Sequence, residues 1–119
     1  MKEILELQKN INLKAIAHIT GGGLIGNLKR IIPEKIEINL FKNSLFNFNK
    51  KLFLLIQEAS NLSDEEMLNT FNCGNGMVIV ISENELEKTK KLLIKLKIGY
   101  KIIGACSNLK KGNSSVNIN

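Results

Sequence analysis

Two glycine-punctuated segments hold the residues whose types and spacing could do chemistry. The first is Ala17-His18-Ile19-Thr20-Gly21-Gly22-Gly23-Leu24-Ile25-Gly26-Asn27. Here an apolar strand-like stretch runs through three glycines into a helix-like one. Glycine admits positive φ and lets a ligand approach the backbone with no Cβ in the way. A helix start adds partial positive charge, which stabilises an anion by ~0.3–1 kcal/mol and up to ~2 kcal/mol when partly buried. The amides of Thr20 to Leu24 are therefore expected to lie unpaired and to converge on a phosphate or another anionic oxygen. A tight turn and nothing more is the competing reading, and spacing does not choose between them. The segment fits neither the P-loop pattern nor GxGxxG. His18, at the strand's end, either faces a cleft or is hydrogen-bonded within the fold. A Gly22→Val substitution is expected to fill the anion site and leave the domain folded.

The second segment is Thr70-Phe71-Asn72-Cys73-Gly74-Asn75-Gly76-Met77. Asn72 offers both a donor and an acceptor, and Gly74 and Gly76 again permit close backbone approach. The alternative is a two-glycine turn entering a strand. Cys73 has no His or Lys close in sequence and reads as a small buried hydrophobe, not a nucleophile. No Ser–His–Asp pattern, carboxylate pair or acidic metal cluster stands out, and Glu65 and Glu66 read as the first turn of a helix. Cys73 and Cys106 lie far apart with no CxxC, which argues against a metal site and suits a reducing cytoplasm. On these residues alone, the chain binds an anion and runs no reaction.

The elements that must position these segments follow from periodicity. Ile4, Leu7 and Ile11 recur at helical spacing over the first eleven residues, and no Ser, Thr, Asp or Asn caps that helix, as if it continued a longer one. Residues 14–19 read as a strand, 24–28 as a short helix ending before Pro33, and 35–40 as an alternating, half-buried strand. Residues 41–49 read as irregular, and Leu52, Phe53, Leu55, Ile56 and Ala59 as one helix face. Ser63 with Glu66 is a capping box, and so is Ser82 with Glu85. Met77–Ile81 reads as a buried strand. Leu86, Leu92, Leu93 and Leu96 form the inner face of a helix that Gly99 ends, before a last strand over 100–105. The expectation is an α+β fold, a mixed β-sheet of about four or five strands with packed helices, and a strand–helix–strand unit over 76–105. Residues 1–106 form the domain and 107–119 a flexible polar tail.

The 119 residues carry 17 basic and 11 acidic side chains, a net charge of +6, with Arg30 the single arginine. Nucleic-acid readers lean on arginine forks and aromatic stacking. Five Phe, one Tyr and no Trp supply little of either, so the lysines, including those of Lys88–Lys97, read as solvated and no nucleic-acid partner is expected. The apolar runs Leu52–Ile56 and Met77–Ile81 fall far short of the ~20 residues that span a bilayer, so no membrane partner is expected. Glu3, Glu6 and Lys9 interrupt the start, which is no secretory signal.

His18-Ile19-Thr20-Gly21-Gly22-Gly23-Leu24, then Asn27, Arg30 and Pro33, resembles the HITGGGL-xEN-xPR-xxP signature of aminoimidazole ribonucleotide synthetase, the phosphoribosylformylglycinamidine cyclo-ligase family. Glu65-Glu66-Met67 with Thr70-Phe71-Asn72-Cys73-Gly74-Asn75-Gly76-Met77 resembles that family's EEMxxTFNxGxGM signature. The likeness covers residues 1–105 and implies the C-terminal domain only, distantly ferredoxin-like, of an enzyme of de novo purine synthesis. Such an enzyme uses ATP and Mg²⁺ to convert formylglycinamidine ribonucleotide to aminoimidazole ribonucleotide. In the family the N-terminal half supplies most nucleotide and metal contacts and the homodimer interface, and the site lies between the halves. The resemblance implies that His18, Thr20, Gly21, Gly22, Gly23, Asn27 and Asn72 face that cleft. His18 and Asn72 would contact substrate, while Thr20 and the glycines would hold phosphate through backbone donors. The sequence departs from the pattern at Gly26 (usually an acid), Lys29 (usually proline), and Cys73 and Asn75 (usually apolar), and lacks Trp-Pro character over 43–49. The chain is expected to need the N-terminal half as a partner and to be inactive alone. A free-standing anion- or nucleotide-binding module without catalysis is the alternative.

Overall fold

A computed structural model describes residues 1–46 and 50–119. In chain order the elements are α1 (Lys2–Asn10), β1 (Leu13–His18), α2 (Gly23–Ile31), β2 (Ile36–Leu40), α3 (Lys42–Leu45), α4 (Lys50–Ser60), α5 (Asp64–Thr70), β3 (Met77–Ile81), a 3₁₀ turn (Glu83–Glu85), α6 (Leu86–Lys95), β4 (Gly104–Asn108) and β5 (Ser115–Ile118). They form two compact units, one of Met1–Ile16 and Ile79–Lys101, the other of Ala17–Val78 and Ile102–Asn119. The α+β class follows from these helices and a mixed sheet. Yet the five strands of the described residues divide into two sheets, β1 with β3 and the order β4-β2-β5. The strand–helix–strand unit over 76–105 therefore joins strands of different sheets.

In the first unit, Leu7, Ile11 and Leu93 are buried together, with Ile4, Leu13, Ile79, Ile81, Leu92 and Ile98 packed against them. The stripe read from α1 is thus the one that packs, and no side chain caps its start. On α6, Thr89 and Leu93 are buried while Lys88, Lys91 and Lys95 face water. The Ser82–Glu85 capping box does not form. The Glu85 amide donates instead to the Ser82 carbonyl (3.0 Å) in the 3₁₀ turn, so no side-chain cap is called for. Lys97, at φ 57°, rather than Gly99, is the left-handed residue that ends α6. The Ile98 amide reaches back to Leu93 (2.9 Å) and the Lys97 amide to Ile94 (3.0 Å). This is a Schellman closure, favoured here because Ile98 packs in the same cluster as Leu93.

The second unit is built on β2, antiparallel to β4 and parallel to β5, with Ile38 opposite both Cys106 and Val116. Ile38 and Leu40 point into a core that includes Leu24, Leu28, Leu45 and Met67. Residues 107–119, expected as a flexible tail, hold the end of β4 and all of β5. Val116 and Ile118 pack against the core, and Asn117 Nδ2 donates to Glu37 Oε2 at 3.2 Å. Three apolar residues scattered in a polar stretch signal too little to show this, because the strand exists only once β2 lies beside it. The last strand expected over 100–105 begins at Gly104, where a Cβ would stand 2.5 Å from the Asn39 carbonyl oxygen. Residues 42–45, expected as irregular, form α3 and bury Leu45 completely, while 47–49 lie outside the described residues. On α4 only Phe53 and Ile56 of the expected face pack inward; Leu52, Leu55 and Ala59 are exposed. So rich an apolar sequence offers more than one stripe, and contact chooses one. Likewise β3 is half-buried, not buried.

α5 begins as read. The Glu66 amide donates to Ser63 Oγ (3.2 Å), and the Ser63 amide donates to Glu66 Oε2 (2.8 Å). That second bond, with the Ser63 hydroxyl, holds the Glu66 carboxyl below its ordinary 4.5. No helix among the described residues is long and apolar enough to cross a membrane.

Candidate functional site

Strand β1 delivers His18, exposed, to its end, and the next residue anchors the chain: the Ile19 amide donates to the Gly76 carbonyl at 2.9 Å. Thr20, Gly21 and Gly22 then arch into α2, with Gly22 at φ 93° as its cap. The amides divide in two groups. Gly23 donates to the Thr20 carbonyl (3.2 Å) and Leu24 to the Phe71 carbonyl (3.1 Å). Among the described residues, those of Thr20, Gly21 and Gly22 have no hydrogen-bond partner. The expectation of free amides from Thr20 to Leu24 thus holds for its first three members and not for Gly23 and Leu24.

Gly23 has another reason to be glycine. A Cβ there would stand 2.4 Å from the Leu68 carbonyl oxygen and 2.7 Å from the Thr70 nitrogen, with φ at 64°. It lets α2 start against the last turn of α5. At Gly22, positive φ makes Gly22→Val costly to the backbone itself, contrary to the expectation of an undisturbed fold. Gly21 has open space where a side chain would go, so substitution there tests a ligand without testing the fold.

Asn27, read as a substrate contact, turns inward and is 6% exposed. Its Nδ2 lies 3.2 Å from the Thr20 carbonyl oxygen, 3.3 Å from that of Gly21 and 2.7 Å from that of Gly23. Its Oδ1 accepts from Arg30 Nη1 at 3.2 Å. With both ends engaged, Asn27 supports the loop from beneath. Arg30 was not singled out as a site residue, although it is the only arginine and follows Asn27 by one turn. Its Nη2 lies 3.3 Å from where a Gly22 Cβ would be, and it pairs with no carboxylate among the described residues. A guanidinium and three free amides, with no acid in the first turn of α2, give this loop a positive character.

The second glycine segment lies against the first through the Leu24–Phe71 and Ile19–Gly76 bonds. Asn72 Oδ1 accepts the Gly74 amide at 2.9 Å, and its Nδ2 has no partner among the described residues. Asn75, which the sequence marked only as a departure, is buried and donates to the carbonyls of Leu45 (3.0 Å) and Asn72 (3.0 Å). Cys73 is fully buried, as its reading as a small hydrophobe requires. Of the nominated residues, then, His18, Thr20, Gly21, Gly22 and Asn72 keep groups free for a ligand, while Gly23 and Asn27 serve the framework. A cavity of about 320 Å³, lined by Ile25, Lys29, Glu65, Asn69 and Asn117 among others, includes none of them. Its polar lining is surface side chains, so the unpaired amides remain the better-defined site.

Residues 1–117 match the family model described as AIR synthase related protein, C-terminal domain. The chain belongs to this family. Among curated relatives, the phosphoribosylformylglycinamidine cyclo-ligase of Finegoldia magna is 41% identical over 119 residues, covering 99% of this chain and 33% of the relative. The protein of the same name from Caldicellulosiruptor bescii is 36% identical over 116 residues, 98% of this chain and 33% of its own. That of Carboxydothermus hydrogenoformans is 39% identical over 93 residues, 78% of this chain and 26% of its own. This AIR synthase-type C-terminal domain spans about a third of the length of the curated relatives it matches.

Proposed function

We propose that this domain supplies one wall of the active site of an ATP-dependent cyclo-ligase that closes formylglycinamidine ribonucleotide to aminoimidazole ribonucleotide in purine synthesis. The other wall would come from a part corresponding to the remaining two-thirds of its relatives. The observation that carries this reading is the row of partnerless amides at Thr20, Gly21 and Gly22 in a chain of this family, with the Asn72 loop tied to theirs by the Leu24–Phe71 bond. In the reaction the substrate amide oxygen takes up the terminal phosphoryl group of ATP, and ring closure releases phosphate. Fixed N–H donors are suited to the charge on those oxygens because they need no reorganisation when it appears. Arg30 would add a full positive charge at the same loop, and His18 and Asn72 would hold polar groups of the substrate.

Mg²⁺ would be held mainly by the other wall, as the family resemblance implies. Among the described residues no three His, Cys, Asp or Glu side chains gather to hold a metal ion, and the roles above are given to this chain's own amides and side chains.

The test is complementation. This chain, mixed with the N-terminal two-thirds of the Finegoldia magna relative, should show ATP-dependent cyclisation that neither part shows alone. Gly21→Val in this chain should remove it while leaving the melting temperature in place. Turnover by the chain alone, or full activity with Gly21→Val, would refute the proposal. Phosphate binding with no complementation would favour a free-standing anion-binding module.

A further inference from the structure

Partnerless amides at Gly21 and Gly22 need a cause, and the peptide geometry supplies one. In a trans peptide the carbonyl of one residue and the amide of the next point in opposite directions. No cis peptide occurs in the described chain. Asn27 Nδ2 lies within hydrogen-bond reach of the carbonyls of Thr20 and Gly21, 3.2 and 3.3 Å away, and together with the Gly23 amide on the Thr20 carbonyl holds both inward. The amides of Gly21 and Gly22 are then turned outward, side by side. The same rule accounts for Leu24: the Gly23 carbonyl is drawn to Asn27 at 2.7 Å, and the Leu24 amide points the other way, to Phe71.

We propose that Asn27 is the positioning residue of this site: it sits beneath the loop, draws two carbonyls toward itself, and so presents Gly21 and Gly22 as a parallel pair of donors for a tetrahedral oxyanion such as a phosphate group. This rests on the anion-binding role given to the loop above. Arg30 completes the device. Its Nη1 donates to Asn27 Oδ1, which fixes the amide so that Nδ2 faces the loop, and its Nη2 stays beside Gly22. A side chain 94% buried thereby links the charge of Arg30 to the direction of two backbone donors without touching the ligand.

The experiment uses the full chain, ¹⁵N-labelled and titrated with inorganic phosphate at constant ionic strength. The wild type should show saturable shifts at the Gly21 and Gly22 amides. Asn27→Asp keeps the volume but sets carboxylate oxygens against the loop carbonyls. It should weaken phosphate at least about tenfold and abolish both shifts, with α6 resonances unmoved. Asn27→Ala, which deletes the donors and adds no charge, should do the same if Asn27→Asp fails to fold. Arg30→Gln, at an exposed position, should fold normally and weaken phosphate about tenfold. A wild-type response that persists undiminished in the Asn27 variants, or in Arg30→Gln, overturns the positioning role and leaves the anion site standing. A wild type that does not respond overturns the anion site, and this role with it.

Discussion

The loop Thr20–Gly23 and the loop Asn72–Gly76 share a composition of glycines and small polar residues, lie against each other, and differ in what they leave free. In the second, polar groups face inward: Asn72 Oδ1 takes the Gly74 amide, the Asn72 carbonyl takes the Asn75 amide, and Asn75 Nδ2 ties the loop to Leu45. In the first, one buried asparagine gathers the carbonyls and leaves three amides without a partner. Glycine permits either outcome. Free donors arise where carbonyls are satisfied from within and their neighbouring amides are not.

The comparison breaks most sharply at Gly23. Gly23→Ala places a Cβ 2.4 Å from backbone that cannot easily retreat, and should cost about 3 kcal/mol in urea denaturation. Gly21→Ala, with open space around it, should stay within about 0.5 kcal/mol of wild type. Equal effects would mean that the two glycines do not divide the loop into framework and ligand surface.

The inward-facing loop should depend on Asn75 more than on Asn72. Asn75→Ala strips donors from buried carbonyls and should cost about 2 kcal/mol, against about 1 kcal/mol for Asn72→Ala. Thermal unfolding of the pair decides it, and the reverse order would make Asn72 the framework residue.

A smaller effect than at Asn75 belongs to α5, which leads into the second loop. Ser63→Ala should cost about 1 kcal/mol by removing the cap. The Glu66 carboxyl is held below its ordinary 4.5 by the Ser63 amide, and that of Asp64 below 3.8 by Gln57 and then Lys42. Both are depressed in the folded state, so their stabilisation is present above the ordinary values and is lost as pH falls through the folded ones. Melting temperature should drop on acidification below about pH 4.5 and drop less in Glu66→Gln. An identical pH profile in the two proteins would remove Glu66 from the cap.

Much of this was legible in the residues themselves. The α1 stripe, the Ser63–Glu66 box, the alternation of β2 and the two ordered signatures are local patterns, since each depends on neighbours within a turn or two of the chain. Asn75 carried no local sign of its partner Leu45, thirty residues away, whereas Arg30 stands one turn from Asn27 and was legible as its neighbour.

The chain's order of residues settled which segments could be helix, strand or loop, and which family the molecule joins. Long-range contact alone settled that β5 is a strand, that α4 turns Phe53 and Ile56 inward, and that Gly23 serves packing while Gly21 and Gly22 present their amides. The reason is physical: a backbone donor is free or engaged according to what folds against it, and no side chain announces in advance which carbonyl will arrive.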